Sequence, residues 1–481
     1  MSALQCAKKL YFEVHHRHLE EVSAKTLASF ESGHRIGALA RELYATPDSV
    51  YIDYERHELD RAQAETTRLI MEGHQAPIFE ATFQHEGVLV RVDVLLPVGE
   101  SAWRIVEVKG STKVKPHHIS DCAVQTWVCR GEGLTIGSVA LAHVDTDFVY
   151  AGGDDYRGLL AEEDLTDEVE DVIGRVPEWL TQAREAVAGE APNVPVGGHC
   201  NKPYDCGFFN QCWPVDAEYP VHGLGGWRKK LGELVQAGYR DIRDVPAEAL
   251  SGKKQPRIHA VTSRGEPELL DGAARAVSDL GFPRYYLDFE TVSPAIPIWP
   301  GTWPYAQIPI QWSLHVEQED GSLVHREFLD LSGEPPMRAL AEELLEAVGE
   351  SGPILMYTNF EERVLRTLGK LFPDLKPALL SAIDRLWDLA PVVEEHYYHP
   401  AMLGSWSIKA VMPTIPGGLD YKDLEEIQEG TAASKAFLEA IDPGTTEERR
   451  EYLRERLLEY CKVDTDAMVR LVHFLAGREQ G

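Results

Sequence analysis

Asp93, Glu107 and Lys109 stand in two apolar runs, VLVRVDVLL and WRIVEVKGS, separated by PVGESA. Pro97 and Gly99 interrupt strand pairing there, which predicts a tight turn centred near residue 100. Asp93 and Glu107 are equidistant from that centre, so in the simplest register they face each other with Cβ atoms about 5 Å apart. Lys109, two positions on, shares the face of Glu107 because strand side chains alternate. Facing carboxylates on an apolar hairpin repel unless a cation lies between them. A divalent metal resolves the conflict: it would activate water for attack on a phosphodiester, with the Lys109 ammonium steadying the developing charge. The plain alternative is an edge hairpin with two solvent-facing acids and a surface lysine.

A second set of acids lies in the C-terminal half. LDFET puts Asp288 and Glu290 two apart on a strand, so both carboxylates face one side. ILMYTNFEERVL reads as a strand leading into a helix, with Asn359 as cap and Glu362 closing a capping box. That leaves Glu361 free on the first turn, and Asp388 in LWDLAP is the other candidate for the same role. In the last helix Tyr460 and Asp464 are one turn apart on one face.

HCNKPYDCGFFNQC sets Cys200, Cys206 and Cys212 six positions apart, one ligand short of a metal site. The chain has 7 cysteines, an odd number, and a reducing compartment disfavours structural disulfides, so metal or iron–sulfur ligation is the better reading. Cys122, Cys129 and Cys461 stand outside the pattern and read as core residues.

These side chains need elements to hold them. A chain of 481 residues, 44% of them hydrophobic, can fill more than one core. Residues 1–220 read as helices, a strand hairpin and further helices ending in the cysteine run. Residues 221–280 read as short helices joined by Gly and Pro turns, and residues 281–481 as a second α/β unit that opens at GFPRYYLDFET. Its final helix, TEERREYLRERLLEYCKVDTDAMVRLVHFL, repeats apolar residues at three and four positions. No stretch reaches the roughly 18 apolar residues of a membrane span, and the start MSALQCAKKLYFEV lacks a signal-peptide core, so a cytoplasmic protein with no membrane partner is expected.

The formal net charge of -31 argues against a whole-surface nucleic-acid binder. Locally the sign reverses. From Ser101 to Ser120 four Lys and Arg oppose Glu107 alone, a net of +3, and from Gly225 to Ile258 eight oppose four acids, a net of +4. The run Arg157 to Glu190, with ten acids against three arginines, reads as a solvated helical surface. SPAIPIWPGTWPYAQIP is a stiff loop in which Trp299, Trp303 or Tyr305 either stack on an unpaired base or pack the loop down. Lys409 in SWSIKAV either touches a phosphate or caps a surface.

Asp93 with Glu107-Val108-Lys109 resembles the PD-(D/E)XK nucleases, and Gln125-Thr126-Trp127 is similar to the glutamine motif of their RecB-like branch, which implies His34 or Glu80 as a further ligand. The AddB-type and CRISPR-associated exonucleases of that branch carry one cysteine before the nuclease core and three after it. That resemblance implies Cys6, Cys200, Cys206 and Cys212 as ligands of a 4Fe-4S cluster, although two equal five-residue gaps depart from the usual close pair and keep zinc open. Asp288-x-Glu290, a middle acid and Tyr460-x-x-x-Asp464 resemble the DnaQ-like exonucleases of the RNase H-like fold. That likeness implies Asp288, Glu290, Glu361 and Asp464 as ligands of two ions, with Tyr460 orienting or activating water. From about residue 283 to 475 the chain also resembles a bacterial domain of unknown function found behind RecB-like nuclease domains. GWRKKLGELVQAGY is loosely similar to helix-hairpin DNA-binding elements.

The resulting expectation is an α/β protein in three parts: a restriction-endonuclease-like PD-(D/E)XK domain over 1–220, a basic helical connector over 221–280 and a DnaQ-like domain over 281–481. It would hydrolyse phosphodiesters with Mg or Mn at two sites, on DNA rather than RNA, in repair, recombination or defence. The alternative is a nucleic-acid-binding scaffold stabilised by the cluster, with one active site or none.

Overall fold

A computed structural model describes residues 1–99, 101–421, 427 and 429–477. The chain forms a mixed α/β structure in two compact units. The first comprises Met1–Val194, His199–Phe209 and Pro294–Tyr305; the second comprises Pro195–Gly198, Asn210–Ser293 and Ala306–Gly481. Residues 221–280, expected as a separate connector, therefore fall inside the second unit. None of the described helices is long and apolar enough to cross a membrane.

The first unit is built on a six-stranded sheet of β1 (Val50–Tyr51), β2 (Ile78–His85), β3 (Val88–Val98), β4 (Ala102–Lys109), β5 (Thr135–Val144) and β6 (Leu160–Asp164), ordered as in the sequence. β2, β3 and β4 are antiparallel neighbours, whereas β5 runs parallel to β4. A parallel return needs a crossover, which the helix Pro116–Gly131 supplies. That helix covers one face of the sheet through Cys122, Ala123 and Val128, while the helix Ala24–Tyr44 covers the other through Ile36, Leu39 and Ala40. The hairpin register pairs Val94 with Val106 and Val98 with Ala102, which centres the turn on residue 100 as the sequence implies. Glu100 itself lies outside the described residues. The hairpin is not alone, as the sequence reading had it. β2 and β5 flank it and bury it on both sides.

The second unit holds the sheet β10-β9-β8-β11-β12, made of β8 (Arg284–Val292), β9 (Ile308–Glu317), β10 (Leu323–Leu329), β11 (Ile354–Met356) and β12 (Leu386–Asp388). β7 (Glu268–Leu269) and β13 (Tyr397–Tyr398) form a separate two-stranded ribbon. β8, β9 and β10 are antiparallel, and β11 and β12 add in parallel beside β8. Every residue of β9 is buried, as a central strand covered on both faces requires. The helix Glu447–Leu475, capped by the Thr446 hydroxyl on Arg449 N, lies against β8 and β9.

The chain between β8 and β9 belongs to the first unit. Pro294–Tyr305 forms a strap whose Ala295 joins the core beside Ile36 and Val106. The main chains of Tyr150 and Thr302 bond at 2.9 Å, those of Gly301 and Tyr150 at 2.8 Å, and Tyr156 Oη donates to Pro297 O at 3.1 Å.

Candidate functional site

In the second unit β8 delivers Asp288 and Glu290, and the middle of the helix Glu447–Leu475 delivers Asp464. One carboxylate oxygen from each lies within 4.8 Å of the others. Glu290 and Asp464 are buried and Asp288 half-buried, so the negative charges meet where water screens them poorly. Burial, then mutual repulsion, pushes Asp288 and Glu290 well above the usual carboxylate range. Burial also raises Asp464, to about 6, against the pull of the Tyr421 hydroxyl and Lys409.

Two residues were open for the middle acid, and the geometry separates them. Asp388 Oδ1 accepts from Thr358 N at 2.8 Å and Ala390 N at 2.9 Å, which pins Thr358 in its left-handed conformation at φ 75. That carboxylate is occupied with building the loop. Glu361 begins the helix Phe360–Leu371, is 2% exposed and raised by burial and the charge of Asp288, and its Oε2 has no hydrogen-bond partner. An orphaned buried carboxylate oxygen beside three converging acids suits a hard divalent cation, which takes oxygen ligands. The expected capping box does not form: Asn359 caps without its side chain, and Glu362 pairs with Arg366 at 2.6 Å.

Four further side chains, Tyr421, Lys409, Tyr460 and Cys461, stand around this centre. Tyr421 Oη donates to Asp464 Oδ1 at 2.6 Å. Lys409 Nζ donates to Tyr460 Oη at 3.0 Å and lies 5.1 Å from the ring centroids of both Tyr421 and Tyr460. Cys461, fully buried as a core residue, places Sγ 3.5 Å from Asp288 Oδ2. Lys409 thus faces inward rather than capping a surface. Tyr421 had no signal in the sequence, since it lies 43 residues before Asp464 and outside that residue's helix.

In the first unit Glu107 is 4% exposed, with Lys109 Nζ 2.5 Å from Oε1 and Gln125 Nε2 2.6 Å from Oε2. Lys109 also meets Asp121 at 2.9 Å, an acid the sequence reading passed over although it lies one turn before Gln125. Asp93 turns its Oδ2 to Val108 N at 2.8 Å and is raised by burial and by the charge of Glu107. Glu80 adopts φ 56 on β2, in a register where Phe79 pairs with Val94 and Ala81 with Val92, so it lies opposite Asp93. Three acids, Glu80, Asp93 and Glu107, therefore occupy neighbouring positions on β2, β3 and β4. A cleft of about 440 Å³ opens beside them, lined by Glu107, Asp121, Gln125, Arg91 and the apolar Leu89 and Trp179. His34 is exposed on the helix Ala24–Tyr44, and among the described residues no hydrogen bond or ion pair joins it to these acids.

Three of the four expected cysteine ligands belong to the first unit and Cys212 to the second. Gln5 Nε2, next to Cys6, donates to His199 O at 2.9 Å and Tyr204 O at 2.7 Å, and Cys206 N donates to Cys200 O at 3.0 Å. The N-terminal segment and the cysteine loop are thus held together, and among the described residues the group of metal-ligating side chains that converges is Asp288, Glu290 and Asp464 rather than the cysteines. Cys122 and Cys129 are fully buried in the core. Trp299 is buried and the Tyr305 hydroxyl donates to Gly110 O, so both pack the strap down.

A family model described as "Domain of unknown function (DUF2779)" matches residues 285–407, which include β8 with Asp288 and Glu290, the Glu361 helix and the strap. No curated protein matches the chain. Among solved structures, "Crystal structure of SSO0001" aligns at 12% identity over 39% of this chain and 96% of its own, with a TM-score of 0.17.

Proposed function

We propose that the protein is a metal-dependent nuclease with two candidate centres, and that the centre at Asp288, Glu290, Glu361 and Asp464 is the stronger. The observation that carries this reading is the convergence of Asp288, Glu290 and Asp464 within 4.8 Å, with Glu361, whose charge bears on Glu290, keeping a buried oxygen without a partner. Buried carboxylates so close together are costly unless a cation pairs with them. Mg or Mn bound there would supply an activated water and neutralise the charge of a phosphodiester. The chain's own residues hold the acids in place: Tyr421 orients Asp464, and the helix turn sets Tyr460 beside it. The DnaQ-like resemblance of the acids on β8 and on the last helix supports the same reading, with DNA as the proposed substrate.

A second reading, that only this centre cleaves, is favoured by one observation. Both oxygens of Glu107 are already engaged, by Lys109 and by Gln125. A metal at Asp93 and Glu107 must compete with that lysine, whereas Glu361 Oε2 has no competitor. A 4Fe-4S cluster on Cys6, Cys200, Cys206 and Cys212 remains part of the proposal, supported by the four-thiol donor set and by the contacts that gather Cys6 with the loop of Cys200 and Cys206.

The test is hydrolysis of end-labelled single-stranded and duplex DNA by anaerobically purified protein with Mg or Mn. Asp464→Ala should abolish cleavage, and Asp93→Ala should abolish only what the first unit contributes. Wild-type protein that binds DNA but leaves every strand intact would favour the scaffold instead. Visible absorbance that disappears in Cys206→Ser, together with iron and sulfide analysis, decides the cluster.

A further inference from the structure

We infer that Lys409 is a positioning residue for the acidic centre, fixing the Tyr460 phenol as a hydrogen-bond donor. This inference rests on the nuclease reading above and specifies how one of its side chains works. Lys409 comes from the short helix Ile408–Val411, which follows Ser407 as its cap. Its ammonium donates to Tyr460 Oη at 3.0 Å while two aromatic rings, Tyr421 and Tyr460, stand 5.1 Å from it. An ammonium has three donors and no acceptor, so Tyr460 Oη is the acceptor in that bond. The phenol's own proton must then point elsewhere, toward the carboxylate side where Asp464 stands one turn along the same helix.

Two roles were open for a tyrosine at this position: to orient a water or phosphate oxygen, or to take a proton from water. With its oxygen accepting from Lys409, the phenol's own O–H is left to donate on the carboxylate side, which sets it up for the first role. The Tyr421 ring beside the ammonium and the bond to the Tyr460 hydroxyl together fix the lysine's direction. Tyr421 serves twice in this arrangement, since its ring faces Lys409 while its hydroxyl holds Asp464 Oδ1 at 2.6 Å. Lys409, Tyr421, Tyr460 and Asp464 thus form one continuous set, in which moving the lysine moves the phenol.

The test compares Lys409→Met, Lys409→Arg, Tyr460→Phe and the double variant Lys409→Met/Tyr460→Phe in the full chain, with Mn as the ion and labelled single-stranded DNA as substrate. Lys409→Met should lower kcat at least tenfold with KM within threefold of wild type, and calorimetry should show Mn affinity equal to or above that of wild type. Lys409→Arg should recover part of the loss. The double variant should be no slower than Tyr460→Phe, because the lysine acts through the phenol. Additive losses in the double variant, an unchanged kcat in Lys409→Met, or a collapse of Mn affinity would each overturn the inference. A readout independent of cleavage separates this inference from the nuclease reading. In protein carrying tyrosine labelled with carbon-13 at Cζ, the resonance that Tyr460→Phe removes should shift in Lys409→Met. A resonance that stays put sinks the positioning role whether or not the protein cuts DNA, and a shifted one with no cleavage by wild type leaves it standing while the nuclease reading falls.

Discussion

Gln125 Nε2 donates to Glu107 Oε2 at 2.6 Å and so ties the helix Pro116–Gly131 to the strand that carries Glu107 and Lys109. Lys109 takes the other oxygen, and the carboxylate sits 4% exposed with both oxygens paired. Burial raises the Glu107 pKa, and the lysine and amide pull it back. The amide is therefore part of what allows an acid to stay buried next to Asp93.

Gln125→Ala should lower the unfolding free energy by about 1–3 kcal/mol, because it leaves one buried oxygen of Glu107 without a donor. Gln125→Glu should cost more, since it sets a second carboxylate against the first. Urea denaturation followed by tryptophan fluorescence measures both. A Gln125→Ala midpoint equal to wild type would mean that water replaces the amide at no cost.

How much of this was legible beforehand differs between the two centres. The hairpin was readable because Pro97 and Gly99 fix a turn, and a turn centre fixes register by counting. Asp288, Glu290, Tyr460 and Asp464 were readable because each pair lies two or four residues apart on one element. What escaped came from long-range packing. Tyr421 shares no element with the acids, and Lys409, though singled out in SWSIKAV, comes from a four-residue helix too short for any period to mark a face. Asn359 and Glu362 matched a capping box by spacing alone, yet Arg366 one turn on draws Glu362 away. The prolines of the strap mark a stiff loop, and nothing in its composition says that Ala295 fills a core formed by the first 160 residues.

The acidic centre should make the metal-free protein less stable as pH rises. Asp464 has a folded pKa of about 6 against 3.8 for the ordinary group, and Asp288, Glu290 and Glu361 are raised as well. A raised acid binds more protons folded than unfolded, so its contribution falls from pH 4 upward and is lost above pH 6. Melting in the presence of EDTA should therefore occur at a lower temperature at pH 8 than at pH 5.5, by several degrees. Millimolar Mn should reverse the order by binding the ionised acids. Equal pH dependence in wild type and in Asp288→Asn/Asp464→Asn would show that the effect comes from elsewhere in the chain.

Glu361 and Asp388 should separate cleanly by measurement. Glu361→Gln removes a carboxylate whose oxygen has no protein partner, so it should weaken Mn binding at least tenfold while leaving stability equal or higher. Asp388→Ala removes the acceptor for Thr358 N and Ala390 N, so it should cost about 1–3 kcal/mol in urea denaturation with a smaller effect on Mn affinity. Calorimetric titration beside unfolding curves for the two variants checks this. The reverse pattern would make Asp388 the ligand and Glu361 a buried spectator.

The strap makes the first unit depend on chain that lies far beyond its own sequence. Ala295, Trp299 and Thr302 are buried, and the Tyr305 hydroxyl donates to the carbonyl of Gly110, the residue after Lys109. Trp299→Ala in the full chain should cost about 3–5 kcal/mol, the range for emptying a buried aromatic site. Tyr305→Phe should cost about 1 kcal/mol, and any loss of cleavage assigned to Asp93 in that variant would follow from a looser Gly110 rather than from missing chemistry. A chain ended at residue 280 keeps every candidate residue of the first unit except those of the strap, yet it exposes the apolar surface on which Ala295 rests. It should be cut rapidly by thermolysin, and a synthetic peptide of residues 294–305 should slow the cutting in a saturable way. A fragment 1–280 as resistant as the full chain would mean that the six-stranded sheet closes its own core and that the strap merely rests on it.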